Sequence, residues 1–163
     1  MATEMLTLHN VLAVLRDYAV EARNLYQDNL VRHGRIASGE LLNTAECRVS
    51  IGDRSYDVIL TLQDYWCYVE EDTRPHWPPM DAILRWIQIK PVLPRPDADG
   101  RIPTPRQLAY LIGRKIAREG TKGSHDLADA VRQMNERYSE RLSEALGKDV
   151  SDYITYVFTN TAD

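Results

Sequence analysis

The chain has 163 residues, 44% of them hydrophobic and 27% charged, with a formal net charge of −4. That length suits one soluble domain burying about 70% of its unfolded surface, and the composition excludes a disordered chain or a disulfide-stapled miniprotein. No apolar run approaches the ~20 residues of a membrane-spanning helix, and Arg16 is the first basic side chain, so neither a membrane partner nor a signal peptide is expected and synthesis is expected in a cytoplasm.

Leu8, Val11, Leu12, Leu15, Tyr18, Ala19, Ala22, Leu25 and Tyr26 recur at steps of three and four. The spacing predicts an amphipathic helix over roughly 4–33, with Gly34 as its stop. Residues 35–44 read as a turn. Cys47, Val49 and Ile51 then alternate with Arg48 and Ser50, Gly52-Asp53-Arg54-Ser55 is turn chemistry, and Tyr56, Val58, Leu60 and Leu62 resume the alternation. This is a β-hairpin with one buried face.

The stretch from Tyr65 to Pro79 is dense in aromatics and prolines. A helix over roughly 79–90 is expected next, with Ile83, Trp86 and Ile87 on one side and Pro91 at its end. Residues 91–103 contain Pro91, Pro94, Pro96, Gly100 and Pro103 and read as a stiff arm, long for a connection inside a domain. Thr104-Pro105 opens a helix over about 105–118 with Leu108, Leu111, Ile112 and Ile116 on its apolar face. Gly120 closes it. Ser124 is a cap for a further helix over about 125–146, closed by Gly147. Tyr153 to Thr159, rich in β-branched and aromatic residues, reads as a last strand joining the hairpin, since a two-stranded hairpin alone is marginal. The expected fold is α+β: a small, mainly antiparallel sheet (hairpin plus C-terminal strand) packed by a long N-terminal helix and two C-terminal helices.

Signals for chemistry are sparse. Cys47 and Cys67, the only cysteines, lack CxxC spacing and read as two buried thiols. Gly120-Thr121-Lys122-Gly123-Ser124 lacks the spacing of a phosphate loop and reads as a helix–helix turn. Glu70, Glu71 and Asp72 precede His76, but there is no HExxH spacing, and His9, His33 and His125 are scattered to helix ends or surface. A carboxylate on this turn is expected instead to accept backbone N–H groups or to pair with Arg74. No GxSxG elbow occurs. Charge is lopsided: residues 101–122 carry six cations against Glu119 alone, while 123–163 carry four basic and eight acidic residues. Such asymmetry is compatible with a basic face meeting an acidic partner.

Taken in order, several short stretches resemble the small tail-completion or head–tail joining proteins of tailed bacteriophages. Ser38-Gly39-Glu40-Leu41-Leu42-Asn43-Thr44 is similar to a turn before that family's first strand. Tyr68-Val69-Glu70-Glu71-Asp72-Thr73-Arg74-Pro75 is similar to its Tyr-x-x-x-Val-Glu-x-Gly-Thr-Arg motif, with Asp72 standing where the motif has Gly. Trp77-Pro78-Pro79, Ile83 and Trp86 follow, then Ala109, Ile112, Lys115-Ile116-Ala117 and Glu119-Gly120-Thr121-Lys122-Gly123, where a helix ends on Gly-Thr.

The resemblance covers residues 38–130. It implies a structural virion protein of a neck or tail, assembled first in the host cytoplasm. It implies a hexameric or dodecameric ring of identical subunits between portal or connector and tail, in contact with other neck, portal and tail proteins and, non-specifically, with packaged DNA. It implies no catalysis and no cofactor or metal.

Ring contacts are heterologous, so two different patches must fit. The expected patches are the arm residues Leu93, Arg95, Arg101 and Ile102, the basic stretch Arg106, Arg114, Lys115, Arg118 and Lys122, and the acidic stretch Glu136, Glu140 and Glu144. Tyr68, Val69, Trp77, Ile83 and Trp86 are expected to pack together against the hairpin. Two other classes stay open: a nucleic-acid-binding regulator using the helix pair 105–146, and a small enzyme using Glu70 and His76.

Overall fold

A computed structural model describes residues 8–53, 55–90, 92–96 and 98–160. The elements run α1 (His9–Arg32), α2 (Glu40–Asn43), β1 (Glu46–Ile51), β2 (Tyr56–Thr61), α3 (Trp66–Glu70), α4 (Met80–Ile89), α5 (Pro105–Glu119) and α6 (Asp126–Asn160). The α+β class is as expected, with a two-stranded antiparallel sheet among helices. The start of the first predicted helix (residues 4–7), Arg54 of the hairpin turn and Pro91 lie outside the described residues. The chain, expected to form one domain, sorts into two compact units. Unit 1 comprises Met1–Asn29, Ala45–Thr61 and Leu127–Asp163, and unit 2 comprises Leu30–Thr44 and Leu62–Asp126.

In unit 1 the hairpin register pairs Cys47 with Leu60, Val49 with Val58 and Ile51 with Tyr56, so the alternating apolar residues share one face. The turn closes through Gly52 N–H donating to Ser55 O (2.9 Å). α1 and α6 bury Leu12, Ala19 and Tyr26 from one helix and Ala130, Met134, Tyr138 and Ala145 from the other. Tyr18 meets Tyr138 edge-to-face at 5.3 Å, and its hydroxyl donates to Asn135 Oδ1 (2.9 Å). Arg141 lies over the Tyr138 ring at 4.4 Å and donates to Asp17 Oδ2 at 3.0 Å.

The buried Asp149 closes the far end of this helix pair. Its Oδ1 accepts from Asn10 N–H (2.9 Å) and from the Asn10 side chain (2.7 Å), and its Oδ2 accepts from Val11 N–H (2.9 Å). A side chain 138 residues away in sequence thereby satisfies donors that the first turn of a helix always leaves open. Burial alone raises the Asp149 carboxyl pKa, but the hydrogen bonds from Val11 and Asn10 outweigh it and hold the group below the ordinary carboxylate range.

The expected C-terminal strand is a helix. α6 passes through Gly147 without a break and continues to Asn160, so Tyr153–Thr159 form its last turns. Extending a formed helix adds one hydrogen bond per residue fixed, a gain that overrides weak β-propensity. The hydroxyls of Thr155 and Thr159 donate to the carbonyls of Ser151 and Thr155 (2.9 Å each), the usual refuge of threonine inside a helix. The hairpin's support comes instead from α1: Leu8 N–H donates to the Tyr56 hydroxyl (3.1 Å), and Cys47 lies within electrostatic reach of Arg23 and Tyr18.

In unit 2, α4 packs on α5. Gly113 of α5 is buried, and its α-carbon hydrogens sit against Ile83, Met80 and Trp77, where a methyl group would make ordinary contact. Leu30, Leu41, Ile83 and Ala109 form the apolar core. The expected knot is therefore only partly formed. Ile83 is buried and Val69 half-buried, but Tyr68 (70%), Trp77 (51%) and Trp86 (39%) keep much of their surface in water. The side of the Pro78-Pro79 helix start that carries the indoles is largely a surface, while Ile83 turns toward the buried Gly113 of α5.

Candidate assembly surface

The arm ends on a rigid start. Thr104 Oγ1 accepts from Gln107 N–H (3.3 Å), Gln107 Oε1 accepts from Thr104 N–H (2.9 Å), and Pro105 fills the first helical position. This capping box fixes where the exposed face of α5 begins. That face carries Arg106, Tyr110, Leu111, Arg114, Lys115 and Arg118, all exposed, and Tyr110 tilts against the Trp77 ring at 5.7 Å.

The described residues of 92–103 form no helix or strand, and Leu93 (92%) and Ile102 (67%) are the most solvent-exposed aliphatic side chains of unit 2 among those described. Arg95, Arg101, Ile102, Arg106, Tyr110 and Leu111 line a hollow at the junction of arm and α5. A second hollow shares Leu111 with the first and is floored by Ile112 and Ile116. A third shares Arg35, Thr121 and Lys122 with the second and reaches Tyr65, Tyr68 and Trp86. The three hollows are lined between them by seven cations (Arg35, Lys90, Arg95, Arg101, Arg106, Lys115, Lys122) against Glu40 and Glu119. Lys90 Nζ donates to Gly34 O (2.5 Å) and Arg35 to Lys122 O (3.4 Å), which ties both side chains to backbone.

Glu136, Glu140 and Glu144 lie four residues apart on α6, so they share one face, and all three are exposed. Charge follows the units. Unit 1 has 8 basic and 14 acidic residues, a net of −6, and unit 2 has 12 basic and 10 acidic, a net of +2. Arg35, Lys90 and Tyr110, absent from the sequence-derived patches, line these hollows from three separate segments. Only Tyr110 carries a local signal, its place on the polar side of α5.

The two halves of the glycine-threonine pattern bind each other. Thr73 N–H donates to Thr121 O (2.9 Å), Thr121 N–H donates to Thr73 Oγ1 (3.0 Å), and the two hydroxyls are 2.7 Å apart. Gly123 N–H donates to Asp72 Oδ1 (2.8 Å), and Ser124 N–H and Oγ both donate to Val69 O (2.9 and 3.1 Å). A Cβ on Gly120 would overlap the Thr73 carbonyl, and one on Gly123 would overlap that of Glu70. The segment 120–124 is thus more than a helix–helix turn: its glycines are needed for close backbone approach. Ser124 serves this contact and does not cap α6, which begins at the buried Asp126; His33 Nδ1–H donates to Asp126 Oδ1 (2.5 Å).

The acidic segment 70–76 is built the same way. Glu70 is buried, its carbonyl accepts from His125 N–H (3.2 Å), and Asp72 takes the Gly123 amide. His76 is exposed with Nδ1 2.8 Å from Arg74 O. His9, His33 and His125 are exposed at helix ends, as expected. No group of three or more His, Cys, Asp or Glu able to hold a metal occurs among the described residues. Cys47 and Cys67 are free and partly exposed, where buried thiols are expected. No helix among the described residues is long and apolar enough to cross a membrane. Comparison with protein-family models, with curated proteins and with solved structures returns no match.

Proposed function

We propose that this chain is a structural virion protein of a tailed-bacteriophage neck or tail, a subunit of a homo-oligomeric ring that joins portal or connector to tail. The observation that carries the reading is the division of charge between the units, with the acidic stripe of α6 and the basic arm–α5 surface both exposed on one chain. Two different, complementary patches on one subunit are what a heterologous ring contact requires. The motif order supplies the phage context. Two of its pieces, 69–73 and 120–124, are hydrogen-bonded into one device, which supports reading them as a single pattern. The carboxylates of Glu136, Glu140 and Glu144 would repel phosphate, which weighs against using the helix pair as a DNA reader.

Native mass measurement with negative-stain imaging tests the proposal. The expected result is a closed particle of six or twelve 18.7 kDa chains. Replacing 93–101 by a short Gly-Ser link is expected to leave the monomer folded and to weaken assembly. A monomer at all concentrations that binds duplex DNA in a salt-sensitive way would overturn the reading in favour of a regulator.

A further inference from the structure

The second half of α6 leaves one side uncovered. Leu146, Val150 and Tyr153, and then Ile154 and Phe158, follow one another at helical spacing and are all between 40% and 73% exposed. The charged side chains of this stretch lie elsewhere on the helix. Arg141 and Asp149 reach across to α1, and Lys148 and Asp152 fall on the side of Arg141 by helical spacing. The apolar stripe therefore carries no charge of its own. Ser143 and Gly147 stand beside it, one turn apart. Glycine inside a helix is destabilising, and no atom of the subunit approaches the place where a Gly147 side chain would stand. The fold of one chain thus gives that glycine no partner, although its bare backbone leaves room for one.

The geometry points to a two-fold contact in which α6 of a second copy crosses this stripe antiparallel, centred on Val150. In that register each small residue meets a large one: Gly147 faces Tyr153 of the other copy, Ser143 faces Val157, and Leu146 faces Ile154. Large against small is how facing helices interdigitate, and here one sequence supplies both sides. A parallel pair would set Gly147 against Gly147 and bring the exposed Glu140 and Glu144, with both negative helix ends, beside their own copies. The antiparallel register instead places Glu144 beside Tyr156 and Glu140 beside Asn160. A nucleic acid or an anionic lipid surface would find no cation on the stripe. The exposed apolar side chains offer on the order of 500 Å² per copy, so pairing covers about 1,000 Å², the lower limit of a specific contact. Because the contact is isologous, it is separate from the heterologous ring contact proposed above and does not rest on it.

Cross-linking of full-length protein in a Cys47→Ser, Cys67→Ser background, which removes the two free thiols, tests the register. Under mild oxidation Val150→Cys is expected to give a disulfide-linked dimer, since the two copies of residue 150 meet on the axis within disulfide reach. Gly147→Cys and Tyr153→Cys are each expected to cross-link poorly alone and well when mixed. Asp152→Cys, on the other side of the helix, is expected to remain uncross-linked. In sedimentation, Val150→Asp is expected to weaken two-fold association at least about tenfold, or about 1.4 kcal/mol. Replacing the arm 93–101, which tests the ring, is expected to leave the Val150→Cys cross-link unchanged, so the two readings fail separately. Equal cross-linking at 150 and 152, or parent-like association of Val150→Asp, would overturn the contact. So would a parent that stays monomeric, including one that binds phosphatidylcholine vesicles instead, which would give the stripe to a lipid surface.

Discussion

The two units are held together by different means. Unit 1 is a helix pair with a hairpin, and its decisive contacts come from side chains: Tyr138 against Tyr18, Met134 in the core, and Asp149 on the first turn of α1. Unit 2 has short helices joined by irregular chain, and its decisive contacts come from backbone, with 120–125 laid against 69–73 through amide hydrogen bonds and glycines that admit close approach. The acidic unit is thus the regular one, and the basic unit leaves a long arm and several hollows at its surface. Rigid helices present a fixed stripe, whereas loops anchored at a few backbone points can frame a concave face.

The largest test of this contrast is Gly120→Ala. Gly120 has φ 72° and its Cβ would overlap the Thr73 carbonyl, so both backbone strain and displacement follow. A loss of about 3–5 kcal/mol in urea unfolding is expected; a loss under about 1 kcal/mol would show that the backbone contact does not hold unit 2.

Met134→Ala asks the matching question of unit 1. Met134 is fully buried, and truncation is expected to cost about 2–4 kcal/mol. If Gly120→Ala proves far milder than Met134→Ala, the order of the comparison reverses.

Asp149→Asn is expected to cost about 1–2 kcal/mol, the range for losing a helix cap. The pH dependence sharpens it. The folded pKa of Asp149 lies below its unfolded value, so its contribution is present above the unfolded value of about 3.9 and is lost as pH falls through the folded one. The parent should therefore lose stability more steeply than the variant on acidification. Parallel curves would remove the carboxylate from the cap.

Trp86→Ala is the smallest of the four. The knot expectation implies 3–5 kcal/mol for a buried ring, but Trp86 is 39% exposed, so the thermal melt should register about 1–2 kcal/mol. Recovery of the larger value would mean that the indole is buried in solution, as in a ring contact.

Periodicity alone determined much of this protein. The apolar spacing of residues 8–26 gives α1, alternation gives the hairpin, and Thr104-Pro105 marks the start of α5. The exposed cations of α5 and the acidic stripe of α6 were legible for the same reason: helical spacing places residues on faces before any partner is known. Only the tertiary structure decided the rest. The hollows of unit 2 depend on Arg35, Lys90 and Tyr110 arriving from distant segments. Gly120 and Gly123 look like turn glycines until Thr73 and Glu70 are laid against them. Gly147 looks like a helix stop, yet it stands in open space inside α6, and two residues later Asp149 is fastened to the first turn of α1. A mid-helix glycine costs about 1 kcal/mol, and that contact together with continued helical hydrogen bonding offsets it. Local propensity sees neither term, which is why a stretch composed like a strand ends the chain's longest helix.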